Sequence, residues 1–193
     1  MQKSVYLDNN ATTYMKKEVL DAMLPYYTTN FGNASSKFYE VGRVAESAVL
    51  NFRETVAKNI GAKTNEIYFT GSGCEADNWA IKGIANAYKD KGNHIITTKI
   101  EHHAILGACE FLEKEGFSVT YLPVDEYGIV NPIDVKNAIT DKTILISIMT
   151  ANNEIGAIEP ISEISKIAKE KKIIFHIKNI LLKKKSIQKK LFL

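Results

Sequence analysis

The sequence predicts an α/β fold, a mostly parallel sheet with helices on both faces. Three observations point there. Segments with apolar residues at helical spacing alternate with short β-rich runs. The run "TILISIM" (143–149) is nearly all apolar, as a strand covered on both faces requires. The segments between strands are long enough to be helical crossovers, which parallel pairing needs.

In chain order, "KKEVLDAMLPYY" (16–27) reads as a helix. A longer one follows over 41–62, where Val44, Ala48, Phe52, Val56 and Ile60 recur at i+4 and Gly61 can end it. "EIYFT" (66–70) reads as a strand and 74–90 as a helix. "HIITT" (94–98) is a strand, 103–116 a helix closing at Gly116, and "SVTYL" (118–122) a strand. Asn131 as N-cap and Pro132 in the first turn open the next helix. After 143–149 come a helix over 162–172 and the strand "IIFH" (173–176). There is no internal repeat and no Gly/Ser linker.

Composition is ordinary for a globular chain, at 45% hydrophobic and 24% charged. No apolar run reaches bilayer length, and the first residues show no secretory h-region. Two cysteines, Cys74 and Cys109, outside any C-x-x-C, argue against a disulfide framework and fit a reducing cytoplasm. The net charge of +3 is unevenly spread. Residues 177–193 hold six lysines and no acid; without those six, 19 basic side chains face 22 acidic ones. The tail is expected to be a solvated, frayed end, with nucleic acid or anionic lipid as the other reading.

Ligands of parallel sheets bind beyond the carboxyl ends of the strands. After 66–70 stands "GSGCEADN", where Gly71 and Gly73 turn the chain into a helix N-terminus able to cradle phosphate, although it matches neither the Rossmann nor the Walker pattern. After 94–98 comes "KIEHHAI", with His102 and His103 as candidates. Adjacent helical residues point apart, so no shared metal is expected there. After 143–149 comes "TANNEIGAIEP", whose Asn152, Asn153 and Glu154 could orient a substrate or simply form a turn. Cys109 shares a helical face with Ile105 and Leu112 and reads as packed core.

"YLDNNATT", "FGNASS", "FTGSGCEADNWAIKG", "HIITTKIEHHAI" and "ILISIMTANNEIGAIEPI", in this order, resemble the N-terminal half of a cysteine desulfurase. These are pyridoxal 5'-phosphate enzymes of the class V aminotransferase group, fold type I. The resemblance spans about residues 4–176. It implies an N-terminal segment (1–15) near the substrate mouth, a partial cofactor-binding large domain (16–176) and a non-family Lys-rich tail (177–193). It implies that backbone N–H groups of Gly73 and Cys74 hold the cofactor phosphate. The thiol of Cys74 stands where many members carry Thr, a better donor. His102 matches the histidine that stacks on the cofactor ring and takes part in proton transfer, and Asn152 the asparagine that bonds the ring's 3′ oxygen. Ala34 departs from a usual proline.

The resemblance implies conversion of L-cysteine to L-alanine with sulfur passed to a protein persulfide, for iron–sulfur assembly or thiolation. It implies a homodimer and a sulfur-acceptor or scaffold partner in the full-length family, with no membrane and no nucleic acid. Another class V aminotransferase relative, or a non-catalytic cofactor-binding fragment, remains an alternative.

After His176 the pattern stops. Lys178 stands where the family has the aspartate that pairs with the ring nitrogen, and Leu181 where it has a glutamine. A lysine there would repel a protonated ring nitrogen. No Ser-x-His-Lys anchor follows in the 193 residues. A truncated product is expected, by a shift of reading frame or by deliberate truncation, folding poorly and without desulfurase activity of its own. The strand at 66–70 is expected to lack neighbours and the strand at 173–176 to show an open edge. The tail lysines are expected to be solvated, so that any aldehyde adduct scatters among them.

Overall fold

The computed structural model describes residues 5–179, which form two compact units, 5–69 and 70–179. No helix of the described residues is long and apolar enough to cross a membrane.

The first unit holds helix α1 (Lys17–Thr28), helix α2 (Glu40–Ile60) and a short 3-10 turn, Thr64–Glu66. Helix α2 ends as the sequence predicts. Gly61 takes φ 74°, which a side-chain-bearing residue adopts only with strain, and its N–H bonds Ala57 O. The i+4 stripe that marks the helix in the sequence is not the face it buries. Gly42, Ala45 and Ala57 are buried, whereas Val44, Phe52 and Val56 of the i+4 stripe are exposed. Small residues win because the backbone comes so close: a Cβ on Gly42 would stand 1.8 Å from Ser36 O. The segment 66–70 is not a strand. It pairs with no strand among the described residues, and without a ladder its Tyr68 and Phe69 are left exposed.

The second unit is the predicted parallel sheet. Helix α3 (Gly73–Tyr88) leads to strand β1 (His94–Thr98), helix α4 (His103–Lys114) and strand β2 (Ser118–Leu122). Helix α5 (Pro132–Ala138), strand β3 (Thr143–Ser147), helix α6 (Ile161–Glu170) and strand β4 (Ile174–His176) follow. The order is β2-β1-β3-β4, all parallel, so β4 pairs on one side only among the described residues, as expected.

Alternation along β1 and β3 splits the core into two layers. Ile95 and Leu145 pack under Ile81 and Ala85 of α3 and Ile105, Ala108, Cys109 and Leu112 of α4. Ile96 and Ile146 face the other way, onto Val135 of α5 and Ile164 and Ala168 of α6. Helices therefore cover both faces. Cys109 is fully buried, as its helical face implied, and burial pushes its thiol up to about 12.

The helix starts follow local chemistry. Asn131 Oδ1 accepts from Ile133 N–H at 2.9 Å, with Pro132 in the first turn of α5. His94 is a core histidine held between the hydroxyls of Thr143 (2.7 Å) and Thr120 (2.9 Å), which ties β1 to both neighbours.

Candidate active site

The carboxyl ends of β1, β3 and β4 and the N-terminus of α3 bring together side chains far apart in the chain. At α3, Ser72 is the N-cap, and its Oγ accepts from Glu75 N–H at 3.1 Å. Glu75 turns back to accept from Gly71 N–H at 2.6 Å. The loop before the helix is thereby locked. The N–H groups of Gly73 and Cys74 have no protein acceptor among the described residues. Nothing lies within 4 Å of a Cβ built on Gly73, so there is room for a side chain at that position. Two free donors at the positive end of a 16-residue helix suit an anion. Cys74 is exposed.

His102 is the N-cap of α4, and its Nδ1 accepts from Ala104 N–H at 3.1 Å. That bond leaves the ring proton on Nε2. Desolvation, followed by the charge of Lys178, lowers its proton affinity, so the ring is neutral at neutral pH. His103 is exposed, on the helix surface.

Asn152 is buried and organises its own loop. Its Oδ1 accepts from Glu154 N–H at 2.8 Å and Ile155 N–H at 3.1 Å, and its Nδ2 donates to Ile100 O at 3.0 Å. One Nδ2–H is left without a described acceptor. The turn reading of this loop is thus realised through the Asn152 side chain.

Four further residues, not singled out as working groups in the sequence, fill the site: Asp77, Glu101, His176 and Lys178. Asp77 lies one turn into α3, with Oδ1 3.8 Å from His176 Nε2. His176 ends β4, is 2.9 Å from Ser147 Oγ through Nδ1, and is held down to about 4 by burial, with Lys178 adding to the effect. Glu101 follows β1; its Oε1 accepts from Met149 N–H at 2.6 Å, and burial pushes it up to about 7. Burial also raises Asp77, against the pull of Lys178.

Lys178 runs on from β4, its carbonyl accepting from the N–H of Thr150, beyond the end of β3, at 2.8 Å. The tail lysines were expected to be solvated, and here that expectation fails. Lys178 Nζ is buried. The other five tail lysines and Leu181 lie outside the described residues. Among the described residues no group of three or more His, Cys, Asp or Glu could hold a metal.

The aminotransferase class-V family model matches residues 5–179. The chain is 64% identical over 176 residues to a cysteine desulfurase IscS of Clostridium botulinum strain Hall, covering 91% of this chain and 44% of that protein. A cysteine desulfurase IscS of Methanosarcina thermophila is 62% identical over 174 residues, with 90% and 43% covered. Among solved structures, SspA in complex with cysteine superposes with a TM-score of 0.87 at 38% identity, over 90% of this chain and 50% of that one. The chain thus spans less than half the length of the curated relatives it matches.

Proposed function

The chain belongs to the aminotransferase class-V family, and from that premise we propose that it forms the N-terminal part of the large domain of a cysteine desulfurase. The reaction is conversion of L-cysteine to L-alanine, with the sulfur left as a persulfide on a protein cysteine and passed to an acceptor or scaffold protein. The complete enzyme is a homodimer serving iron–sulfur cluster assembly or thiolation, and it works in the cytoplasm, where free thiols such as Cys74 and Cys109 persist.

The cofactor of this reading is pyridoxal 5'-phosphate, and the site fits its anionic end. The observation that carries the proposal is the pair of N–H groups at Gly73 and Cys74 without an acceptor among the described residues, at a locked helix start. They would bind the phosphate, aided by the helix dipole. The spare Nδ2–H of Asn152 would donate to the 3′ oxygen, holding the ring in register. His102 would lie against the ring, neutral and with its proton on Nε2, excluding water from that face. When bound, the cofactor supplies an electron sink for the charge left at Cα of the amino acid. Position 178 fits less well, since a cationic lysine disfavours a protonated ring nitrogen.

The test compares equilibrium binding of pyridoxal phosphate and pyridoxal, which differ only in the phosphate. Tighter binding of the phosphate form by about tenfold or more, the worth of one charge-assisted hydrogen bond, supports the reading. Equal binding overturns it.

A further inference from the structure

Two side chains cross between the loops that carry His102 and Asn152. Beyond β3, the N–H groups of Ile148 and Thr150 bond the carbonyls of His176 and Lys178, on the β4 side. Successive residues of an extended chain turn their N–H groups to opposite neighbours, so that of Met149 faces the β1 side. There β1 has already ended at Thr98, and the chain turns away, Lys99 N–H bonding Leu122 O. The Glu101 side chain supplies the acceptor in place of a ladder carbonyl: its Oε1 accepts from Met149 N–H at 2.6 Å. In the other direction, Asn152 Nδ2 donates to Ile100 O at 3.0 Å. Each loop thus lends one side chain to the other's backbone.

Glu101 is 5% exposed and Met149 2%, so a broken bond would leave a buried N–H that water cannot readily reach. The Asn152 amide is planar, with Oδ1 committed to the N–H groups of Glu154 and Ile155. Holding one Nδ2–H on Ile100 O therefore fixes the direction of the second. Glu101 itself is costly to keep. Its Oε2 is buried without a partner among the described residues, and burial pushes the acid up to about 7. An apolar side chain would avoid both costs. Carboxylates perturbed in this way concentrate at functional sites.

We propose that Glu101 is a positioning residue: it clamps the turn carrying Ile100 and His102 to the end of β3, and so aims the spare Nδ2–H of Asn152 at the bound cofactor ring. The inference rests on the proposed function, which takes the 3′ oxygen as the target of that N–H. Glu101 touches no reacting atom and acts through Ile100 O and Asn152. It serves as an acceptor, so glutamine can replace it and methionine, of similar length, cannot. The phosphate seat at the start of α3 lies outside the clamp.

The experiment measures equilibrium binding of three ligands: pyridoxal phosphate, its analogue without the 3′ oxygen, and pyridoxal. The proteins are the 193-residue chain, Glu101→Gln and Glu101→Met. The unaltered chain should bind pyridoxal phosphate about tenfold more tightly than the analogue. Glu101→Gln should keep that preference, and Glu101→Met should lose it to within about twofold, with the preference for pyridoxal phosphate over pyridoxal unchanged in both. If Glu101→Met loses its helix content by circular dichroism, Glu101→Asp replaces it: one methylene shorter, it does not reach Met149 N–H and should lose the preference equally. Retention of the preference without the acceptor overturns the proposal, as does its loss in Glu101→Gln. A chain that never distinguishes the analogue overturns it too, by removing the Asn152 contact. Equal binding of pyridoxal phosphate and pyridoxal sinks the phosphate seat instead, and the comparison with the analogue still decides the role of Glu101.

Discussion

Asp77 Oδ1 stands 3.8 Å from Nε2 of His176, with both side chains buried, yet the two do not form an ion pair at neutral pH. Burial holds the imidazole neutral, down at about 4, and Ser147 takes up its other nitrogen at 2.9 Å. The contact is a carboxylate beside a neutral ring, and the site gains its polarity from several half-compensated groups, not from one strong bridge.

The stability of this unit should therefore depend on pH in a partly hidden way. His176 is lowered from 6.5 to about 4, so the unfolded chain binds more protons between those values, and stability is lost as pH falls through them. Glu101 is raised from 4.5 to about 7, so the folded chain binds more protons, and stability is lost as pH rises through that window. The two slopes oppose each other, with Asp77 on the side of Glu101. Glu101→Gln should expose the His176 slope, a loss of up to about 3 kcal/mol on going from pH 7 to pH 4, at about 1.4 kcal/mol per unit. His176→Gln should expose the opposite slope. Urea unfolding followed through the lone tryptophan, Trp79 on α3, reads both, and a flat profile in either variant would contradict the assignment.

Ile146 is fully buried in the middle of β3, between Ile96 and helices α5 and α6. Ile146→Ala should cost about 2–5 kcal/mol, transfer and cavity together. A loss below about 1 kcal/mol in the same urea titration would mean that this layer can collapse around the gap.

In the first unit, Leu20, Leu24 and Tyr27 of α1 and Val44, Phe52 and Val56 of α2 remain exposed. Such apolar surface favours association. The chain should sediment above its monomer mass of 21.6 kDa at micromolar concentration, and Phe52→Glu should lower the associated fraction. A monodisperse wild-type monomer would count against it.

The 193-residue chain by itself should release no alanine from L-cysteine above the rate given by free pyridoxal phosphate. On the proposed function, Lys178 stands where the ring nitrogen would need an anionic partner, and groups that act as a unit leave no simple residue of activity. Chromatographic alanine assay reads the result directly.

Much of the sheet was legible in the sequence. β1 and β2 fall at the boundaries that alternation and turn residues predict, and Asn131 and Gly61 act as the caps their chemistry implies. The failures share a cause. Residues 66–70 have the composition of a strand, but a strand exists only with a ladder partner. The stripe from Val44 to Ile60 has helical spacing, but which face is buried depends on what lies opposite, and Gly42 and Ala45 allow the closer approach. In the site, His102 and Asn152 stand beyond β1 and β3, and Gly73 and Cys74 beyond a segment that only reads as a strand, and it is this reading that makes them legible. Asp77, Glu101, His176 and Lys178 become a cluster only through β1, β3 and β4 lying side by side, a long-range relation that leaves no local period.

The central claim is that the start of α3 seats the cofactor phosphate, and Gly73→Pro tests it most directly. Proline is at home in the first helical position, and Ser72 before it is already extended (φ −163°, ψ 163°), so the helix should persist while one donor disappears. The account predicts unchanged helix content by circular dichroism and a dissociation constant for pyridoxal phosphate raised about tenfold or more, with pyridoxal binding unaffected. Equal affinity of wild type and Gly73→Pro for pyridoxal phosphate would contradict it.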